Sequence, residues 1–246
     1  KKYDELHDDD YQYREGKPIG AIWSYNCLGF YSENDFDIST TTDGKKKYTL
    51  KSDLPRPAIG GTIQPGDLKY QDMNNDKVIN EKDQINLGKD DRFGSPVTLG
   101  MNLTLKYKDF TLFVLGNAQF GAYAMRNNGY YYMSGDSKYS IEVLGRWTPN
   151  NTENATHPRL TSLSSANNAA ASTFWMYSTD RINLRKVQLT YDFPEKMFNG
   201  KIVKALSVYV NGNDLLTIAK WRKLMETNVG SAPQTRFYNL GVKVTH

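Results

Sequence analysis

Hydrophobic and polar residues alternate with a period of two in several stretches of the chain. In residues 97–107, VTLGMNLTLKY, Val97, Leu99, Met101, Leu103, Leu105 and Tyr107 share one parity, and Thr98, Gly100, Asn102, Thr104 and Lys106 share the other. Alternation of this kind places the two sets on opposite faces of a β-strand. Lys108-Asp109 can reverse the chain tightly into FTLFVLGNAQFGAYA, residues 110–124, so the two runs predict a hairpin. A second pair is RINLRKVQLTYDF (181–193) and ALSVYVNGNDLLTIA (205–219), joined by the turn-rich PEKMFNGKIVK. In the later run Leu206, Val208, Val210, Leu216 and Ile218 share a parity. In the earlier one Val187, Leu189, Tyr191 and Phe193 alternate, but Ile182 and Leu184 fall on the opposite parity, which predicts a bulge between the two sets. The last run, TRFYNLGVKVTH, sets Tyr238, Leu240, Val242 and Val244 against Asn239, Gly241, Lys243 and Thr245, and its parity turns His246 outward. No long segment carries helical periodicity, and Gly, Asn, Asp and Pro punctuate the rest, so the class is all-β.

Link lengths refine this picture. The connections near Lys108 and Pro194 are short, whereas segments 31–92, 125–178 and 220–234 are long. Outer-membrane barrels alternate short inner turns with long outer loops in this way. The pattern therefore fits an antiparallel transmembrane β-barrel portion with long extracellular loops, an incomplete barrel within this chain. A soluble β-sandwich would show the same strands with one face of each buried. Alternation alone leaves both open.

Composition narrows the choice. Hydrophobic residues make up 39% of the 246, and mean hydropathy is −0.65. No stretch approaches the roughly 20 apolar residues that a spanning helix needs. A spanning strand needs only about 9–11 residues, every second one facing lipid, so its mean hydropathy can stay low. Seventeen Tyr and four Trp suit either the aromatic girdles of such a barrel or a carbohydrate-contacting surface. The charge of +4 comes from 31 basic and 27 acidic residues spread along the chain, without the basic stripe that nucleic-acid binding requires. Lys45-Lys46-Lys47 follows the turn signal Asp43-Gly44 and reads as a solvated tip, as does Asp8-Asp9-Asp10. Cys27 is the single cysteine and forms no internal disulfide. The start, Lys1-Lys2-Tyr3-Asp4, leads into polar residues rather than an apolar signal segment, so a piece of a longer polypeptide is expected.

Candidate chemistry concentrates between residues 65 and 88, PGDLKYQDMNNDKVINEKDQINLG. Asp72, Asn74, Asp76 and Asp83 fall at positions 1, 3, 5 and 12 of a calcium-loop pattern, with the Val78 carbonyl at position 7. Lys77 stands where such loops carry Gly, and Asp83 is shorter than the usual bidentate Glu. Both departures weaken the expectation of Ca2+ and leave a metal-free turn held by its own Asx side chains as the alternative. Tyr130, Tyr131, Tyr132, Trp147 and Trp175 lie in or beside the long links, where flat rings can stack on sugars or against a partner protein, or simply pack within the loops. Catalysis is not expected: His7, His157 and His246 are dispersed, no H-E-x-x-H or G-x-S-x-G occurs, and Gly60-Gly61 leads into no helix that could cradle phosphate. His157, before Pro158, reads as a loop residue.

Several phrases also occur in an order that resembles the C-terminal half of SusC/RagA-type TonB-linked outer-membrane proteins. REGKPIGAIWSYNCLGFY (14–31) is similar to that family's EGxPIGxxxGYxxxGxF segment, and PGDLKYQDMNNDKVINEKD comes after it. Then come GMNLTLKYKDFTLFVLGNAQFG, RWTPNN with PRLT, STDRINLRKVQLTYDFP, LSVYVNGNDLLT and RFYNLGV. The resemblance implies a plugged barrel of about 22 strands in the outer membrane of a Gram-negative, Bacteroidota-like bacterium. It further implies energisation through the TonB complex, a SusD-like surface lipoprotein as lid, and import of oligosaccharides or peptides. The whole chain, 1–246, would be the C-terminal part of the barrel domain, with plug and earlier strands lying outside it. His246 departs from the family's terminal aromatic residue. The rival expectation is a free-standing calcium-stabilised β-domain that binds glycan or protein at the cell surface, with the apolar faces at Val97 to Tyr107 and Tyr238 to Val244 packed together.

Overall fold

The computed structural model describes residues 7–133, 135, 139–163, 165–198 and 203–245, so His246 lies outside the described part. Fifteen strands are present among the described residues. In chain order they are β1 (Ala21–Ser24), β2 (Cys27–Phe30), β3 (Phe36–Thr40), β4 (Lys46–Leu50), β5 (Arg56–Pro57), β6 (Leu68–Tyr70), β7 (Val78–Ile79) and β8 (Ile85–Asp90). Next are β9 (Val97–Tyr107), β10 (Phe110–Phe120), β11 (Ala122–Met125), β12 (Met176–Ser178), β13 (Arg181–Asp192), β14 (Ala205–Ile218) and β15 (Phe237–Thr245). The only α-helices among the described residues are short, α1 (Ala166–Ala169) and α2 (Arg222–Thr227), so the all-β class holds. The chain forms two units, one of residues 1–93 with 124–177 and the other of residues 94–123 with 178–246.

The second unit is an antiparallel sheet in the order β15-β14-β13-β10-β9. The predicted hairpin is present, with Tyr107 opposite Phe110 and Lys108 taking the left-handed conformation (φ 51°) that so tight a turn requires. Register carries the apolar parity unbroken across all five strands. One row runs Leu105, Leu112, Leu189, Val210 and Leu240; the next toward the hairpin turn runs Tyr107, Phe110, Tyr191, Val208 and Val242. The intervening positions are mostly polar, as in the row Thr104, Phe113, Gln188, Asn211 and Asn239. The phase change in β13 is a bulge: pairing with β10 shifts between Leu184 and Lys186, leaving Arg185 as the extra residue. Opposite it β14 shifts as well, and Asp214 takes φ 52°. β13 alone changes parity there, while Leu206 to Ile218 on β14 keep one parity, and the two halves of the apolar face stay on one side.

That face is uncovered within the unit. Leu99, Leu103, Leu189 and Val210 are all exposed, and Leu240 is 78% exposed. The two terminal strands, β9 and β15, each have one neighbour only, so the sheet is open. Gly241 lies under the ring of Tyr209; a Cβ there would sit 2.3 Å from the ring carbon Cζ, so only glycine admits this covering.

The first unit is built of short strands. β2 pairs with β6 and β3 with β4, both antiparallel, while β5 and β7 pair in parallel, and β1 pairs antiparallel with β8. Lys46 and Lys47 lie on β4 beside the exposed turn of the β3–β4 hairpin, in the solvated position that their sequence suggests. Its core is aromatic: Tyr25, Tyr31, Phe36, Tyr70, Trp147 and Trp175 are buried with Leu68 and Ile79. Tyr25 meets Tyr70 at 5.3 Å and Phe36 sits between Tyr31 and Tyr48 at 5.9 Å from each. A buried polar staple ties α1 to β6. Asn167 Nδ2 donates to the Leu68 carbonyl (2.8 Å), Leu68 N donates to Asn168 Oδ1 (2.9 Å), and Tyr70 Oη donates to the Asn167 carbonyl (2.6 Å). Asn168 Nδ2 in turn reaches buried Asp67 (2.8 Å), which also faces Arg159 at 2.8 Å. Buried polar groups tolerate the interior only when paired in this way.

Candidate functional site

The loop 72–83 folds by capping itself. Lys77 N donates to Asp72 Oδ2, Asp76 N to Asn74 Oδ1 and Val78 N to Asp76 Oδ1, at 2.8, 3.1 and 2.8 Å. These Asx contacts turn the backbone sharply enough that Asn75 and Lys77 enter the left-handed region, at φ 60° and 64°. Lys77 thus adopts the conformation for which glycine is favoured at that position. Asp83 is fully buried; its Oδ1 accepts from Met73 N and its Oδ2 from Asn80 N, both at 2.8 Å. Burial pushes its pKa up, and the nearby Asp72 and Asp76 charges add to that, against the two backbone donors. Val78 continues into the parallel pairing with Arg56, which anchors the loop. Tyr11 Oη closes the far side on the Lys82 carbonyl at 2.8 Å, and burial pushes its phenol up to about 12.

These bonds decide how far the loop suits a cation. Nearly every expected ligand oxygen already accepts a backbone N–H, and among the described residues no three His, Cys, Asp or Glu side chains gather around one point. Asp72 Oδ1 alone is buried without a hydrogen-bond partner. The arrangement is thus a hydrogen-bonded turn with one unsatisfied carboxylate oxygen.

The nominated aromatic residues serve the first unit's interior more than its surface. Trp175 is 1% exposed and donates Nε1–H to the Asn168 carbonyl at 2.8 Å, while Trp147 and Tyr131 are also buried. Trp147 lies over Gly66, whose φ of 90° and lack of a Cβ make room for the ring. Tyr130 and Tyr132 are half-buried; Tyr132 meets Trp175 at 4.6 Å and Tyr130 meets Tyr131 at 5.1 Å. Arg126 is sandwiched among Tyr131, Phe174 and Trp175, its guanidinium 5.4 Å from the Trp175 ring, and donates to the Phe174 carbonyl at 2.6 Å. In this conformation Tyr131, Trp147 and Trp175 present no open ring face, because these long links collapse on their own aromatic side chains.

His157 lies on a loop, as the sequence reads, and is 2% exposed. Its ring packs edge-on against Trp175 at 5.8 Å and its Nε2, 3.8 Å from Glu142 Oε2, has no hydrogen-bond partner. Burial lowers its pKa, against the Glu142 charge and with that of Arg126. A cavity of about 30 Å³ opens beside it, lined by Tyr132, Met133, Arg159 and Ser165, room for about one water molecule.

A second polar constellation escaped the sequence reading. On the polar face of the five-stranded sheet, Arg185 in the bulge reaches Asn117 Oδ1 (2.9 Å) and Asp214 Oδ1 (2.7 Å), and Thr217 donates to Asn183 (3.1 Å). Asn239 and Asn213 both donate to Asn211. The signal available in the sequence was the polar parity itself, which places Asn117, Asn183 and Asn211 between apolar neighbours.

No family model matches the chain. Two curated relatives from Formosa agariphila do: TonB-dependent receptor P3, 22% identical over 94% of the chain, and TonB-dependent receptor P26, 28% identical over 73%. The chain spans about a fifth of the length of each, 22% and 20%. Among solved structures it resembles a chain of the RagAB peptide importer in its open-open state, with TM-score 0.57 and 16% identity over 92% of this chain and 22% of that one. A chain of the RagAB peptide transporter matches likewise, with TM-score 0.58 and 17% identity over 91% and 22%. The resemblance to SusC/RagA-type TonB-dependent receptors read from the sequence is thereby borne out, and the fold is that of part of such a barrel.

Proposed function

We propose that this chain forms the C-terminal wall of an outer-membrane, TonB-dependent importer of oligosaccharides or peptides that works with a SusD-like surface lipoprotein. The observation that carries the reading is the apolar face that runs across five strands, its side chains exposed or half-buried with no element covering them within the unit, polar residues behind it and both sheet edges open. In water such a face is a liability, whereas in a barrel wall it is the side that meets lipid. The strands are long enough: eleven residues at about 3.4 Å each, tilted by about 45°, rise about 26 Å, close to the about 25 Å apolar band of these barrels. Tyr107, Phe110, Tyr191 and Phe193 cluster at the short-turn end, where an inner aromatic girdle belongs.

The division of labour is then plain. The apolar face anchors the wall, and the Asn-rich face with Arg185 and Asp214 lines the path. The long links, packed around Trp175 and β6, offer the surface for cargo and lid. The force that opens the path comes from the TonB complex acting elsewhere in the parent protein. The experiment is to delete the parent gene and measure uptake of fluorescent peptides and oligosaccharides, while a tagged parent is tested for a co-purifying lipoprotein. Loss of uptake of one cargo class with recovery of the lipoprotein is expected; unchanged uptake of both classes overturns the reading.

Calcium binding at the 72–83 loop is a second, separate proposal. It has one observation in its favour, the buried and unpartnered Asp72 Oδ1 in a loop whose Lys77 already adopts the left-handed turn.

A further inference from the structure

The apolar face of the wall sheet is not uniform. Toward the long-link end, beyond the Arg185 bulge, a groove of about 470 Å³ interrupts it. Register explains the depression. Gly116 lies between Met101 and Leu184, and Ala118 between Leu99 and Ile182, so two small residues floor a channel walled by long ones, and Leu216 and Ile218 continue the wall onto β14. The bulge beneath adds local twist, which deepens the concavity. Leu99, Met101, Ile182 and Ile218 are each about half exposed, so the groove is open along its length. Its volume lies within the about 300–1,000 Å³ typical of small-ligand sites.

Past Ile218, the last groove residue of β14, the chain turns basic. Residues 219–223 read AKWRK, with Lys220, Arg222 and Lys223 exposed, Trp221 half-buried, and the Lys220 ammonium 5.8 Å from the Trp221 ring centre. Glu226, the nearby carboxylate, is bound by Arg222 and by Arg236, both at 3.0 Å, so the segment stays basic overall. Lysines and a tryptophan that follow so closely in the chain on the wall of an apolar channel are the groups that sit at the boundary of a bilayer and attract anionic headgroups.

We infer that this groove holds one acyl chain of a phosphate-bearing, anionic lipid of the surrounding outer leaflet, with the headgroup at Lys220 and Lys223. The inference rests on the barrel-wall reading above. Its test uses the full-length parent protein in neutral detergent, with native mass spectrometry after addition of phosphatidylglycerol or of phosphatidylcholine with the same chains. Wild type is expected to retain one phosphatidylglycerol. Ala118→Leu, which fills the groove on the lipid side, lowers that retention about tenfold, the worth of roughly two buried methylenes. Lys220→Glu with Lys223→Glu, exposed and outside the sheet, abolishes the preference for phosphatidylglycerol over phosphatidylcholine while the protein stays folded. Equal retention of the two lipids by wild type, or unchanged retention in Ala118→Leu, overturns the inference, as does a protein dimer that forms at this face whatever lipid is added. A parent that inserts into membranes but retains no lipid refutes the inference alone. One that stays soluble without detergent refutes the wall reading itself.

Discussion

Arginine scanning along β9 separates a lipid-facing wall from a soluble sheet. Leu103 is 43% exposed and sits near the middle of β9, four residues from Tyr107 at the short-turn end. At about 3.4 Å per residue and a tilt of about 45°, that places it roughly 10 Å into an apolar band about 25 Å tall, close to the midplane. Leu103→Arg therefore costs about 2–4 kcal/mol in a bilayer, whereas Tyr107→Arg at the boundary costs about 0–1 kcal/mol. Thr104→Arg, one residue on but facing the other side, stays within about 0.5 kcal/mol. Every residue of β9 is exposed in this chain, so a soluble sheet that keeps this face in water predicts changes within about 0.5 kcal/mol for all three substitutions. The assay is equilibrium refolding of the full-length parent into lipid vesicles against guanidinium chloride, comparing transition midpoints at constant slope. Equal midpoints for Leu103→Arg and Thr104→Arg would refute the assignment of faces.

The first unit supplies three further tests. His157 has its pKa lowered by burial, so below its ordinary 6.5 the unfolded segment takes up the proton before the folded one, and stability falls as pH drops through that value. Hydrogen-exchange protection across residues 145–160, taken against the intrinsic rate at each pH, should fall between about pH 7.5 and 5.5 in wild type and lose that dependence in His157→Gln, despite Glu142 nearby; a pH response unchanged in the variant contradicts the assignment. Asn168→Ala strips partners from Leu68 N and from buried Asp67, costing about 2–4 kcal/mol, and local exchange at Leu68 should report it; protection equal to wild type would mean that the staple contributes nothing. Added calcium should slow proteolysis within loop 72–83, an effect lost on joint Asp72→Ala and Asp76→Ala substitution, and a wild type insensitive to calcium sinks the cation proposal.

The wall sheet was legible because its physics is local. Alternation of Val97 to Tyr107 and of Tyr238 to Val244 needs no partner to be read, and the phase slip between Leu184 and Val187 reported the bulge at Arg185 directly. The first unit was not, because its strands run from two to six residues, too short for a period to register. Its organising contacts also join distant segments: Asn167 and Asn168, polar and loop-like in sequence, are buried against β6 about a hundred residues away. Trp147, Trp175 and His157 were placed on loops correctly, but whether a loop residue faces outward depends on what the loop folds onto. The loop 72–83 was read correctly as a set of oxygen donors, whereas the destination of those oxygens, mostly backbone N–H groups, became visible only with the turn geometry.

The most direct test of the barrel-wall account is the intact mass and compartment of the native polypeptide that carries these residues, recovered from fractionated cells with and without detergent. The account predicts a product several-fold larger than 28.0 kDa that leaves the outer-membrane fraction only when detergent is added. A soluble product of about 28.0 kDa, monomeric without detergent, would contradict it.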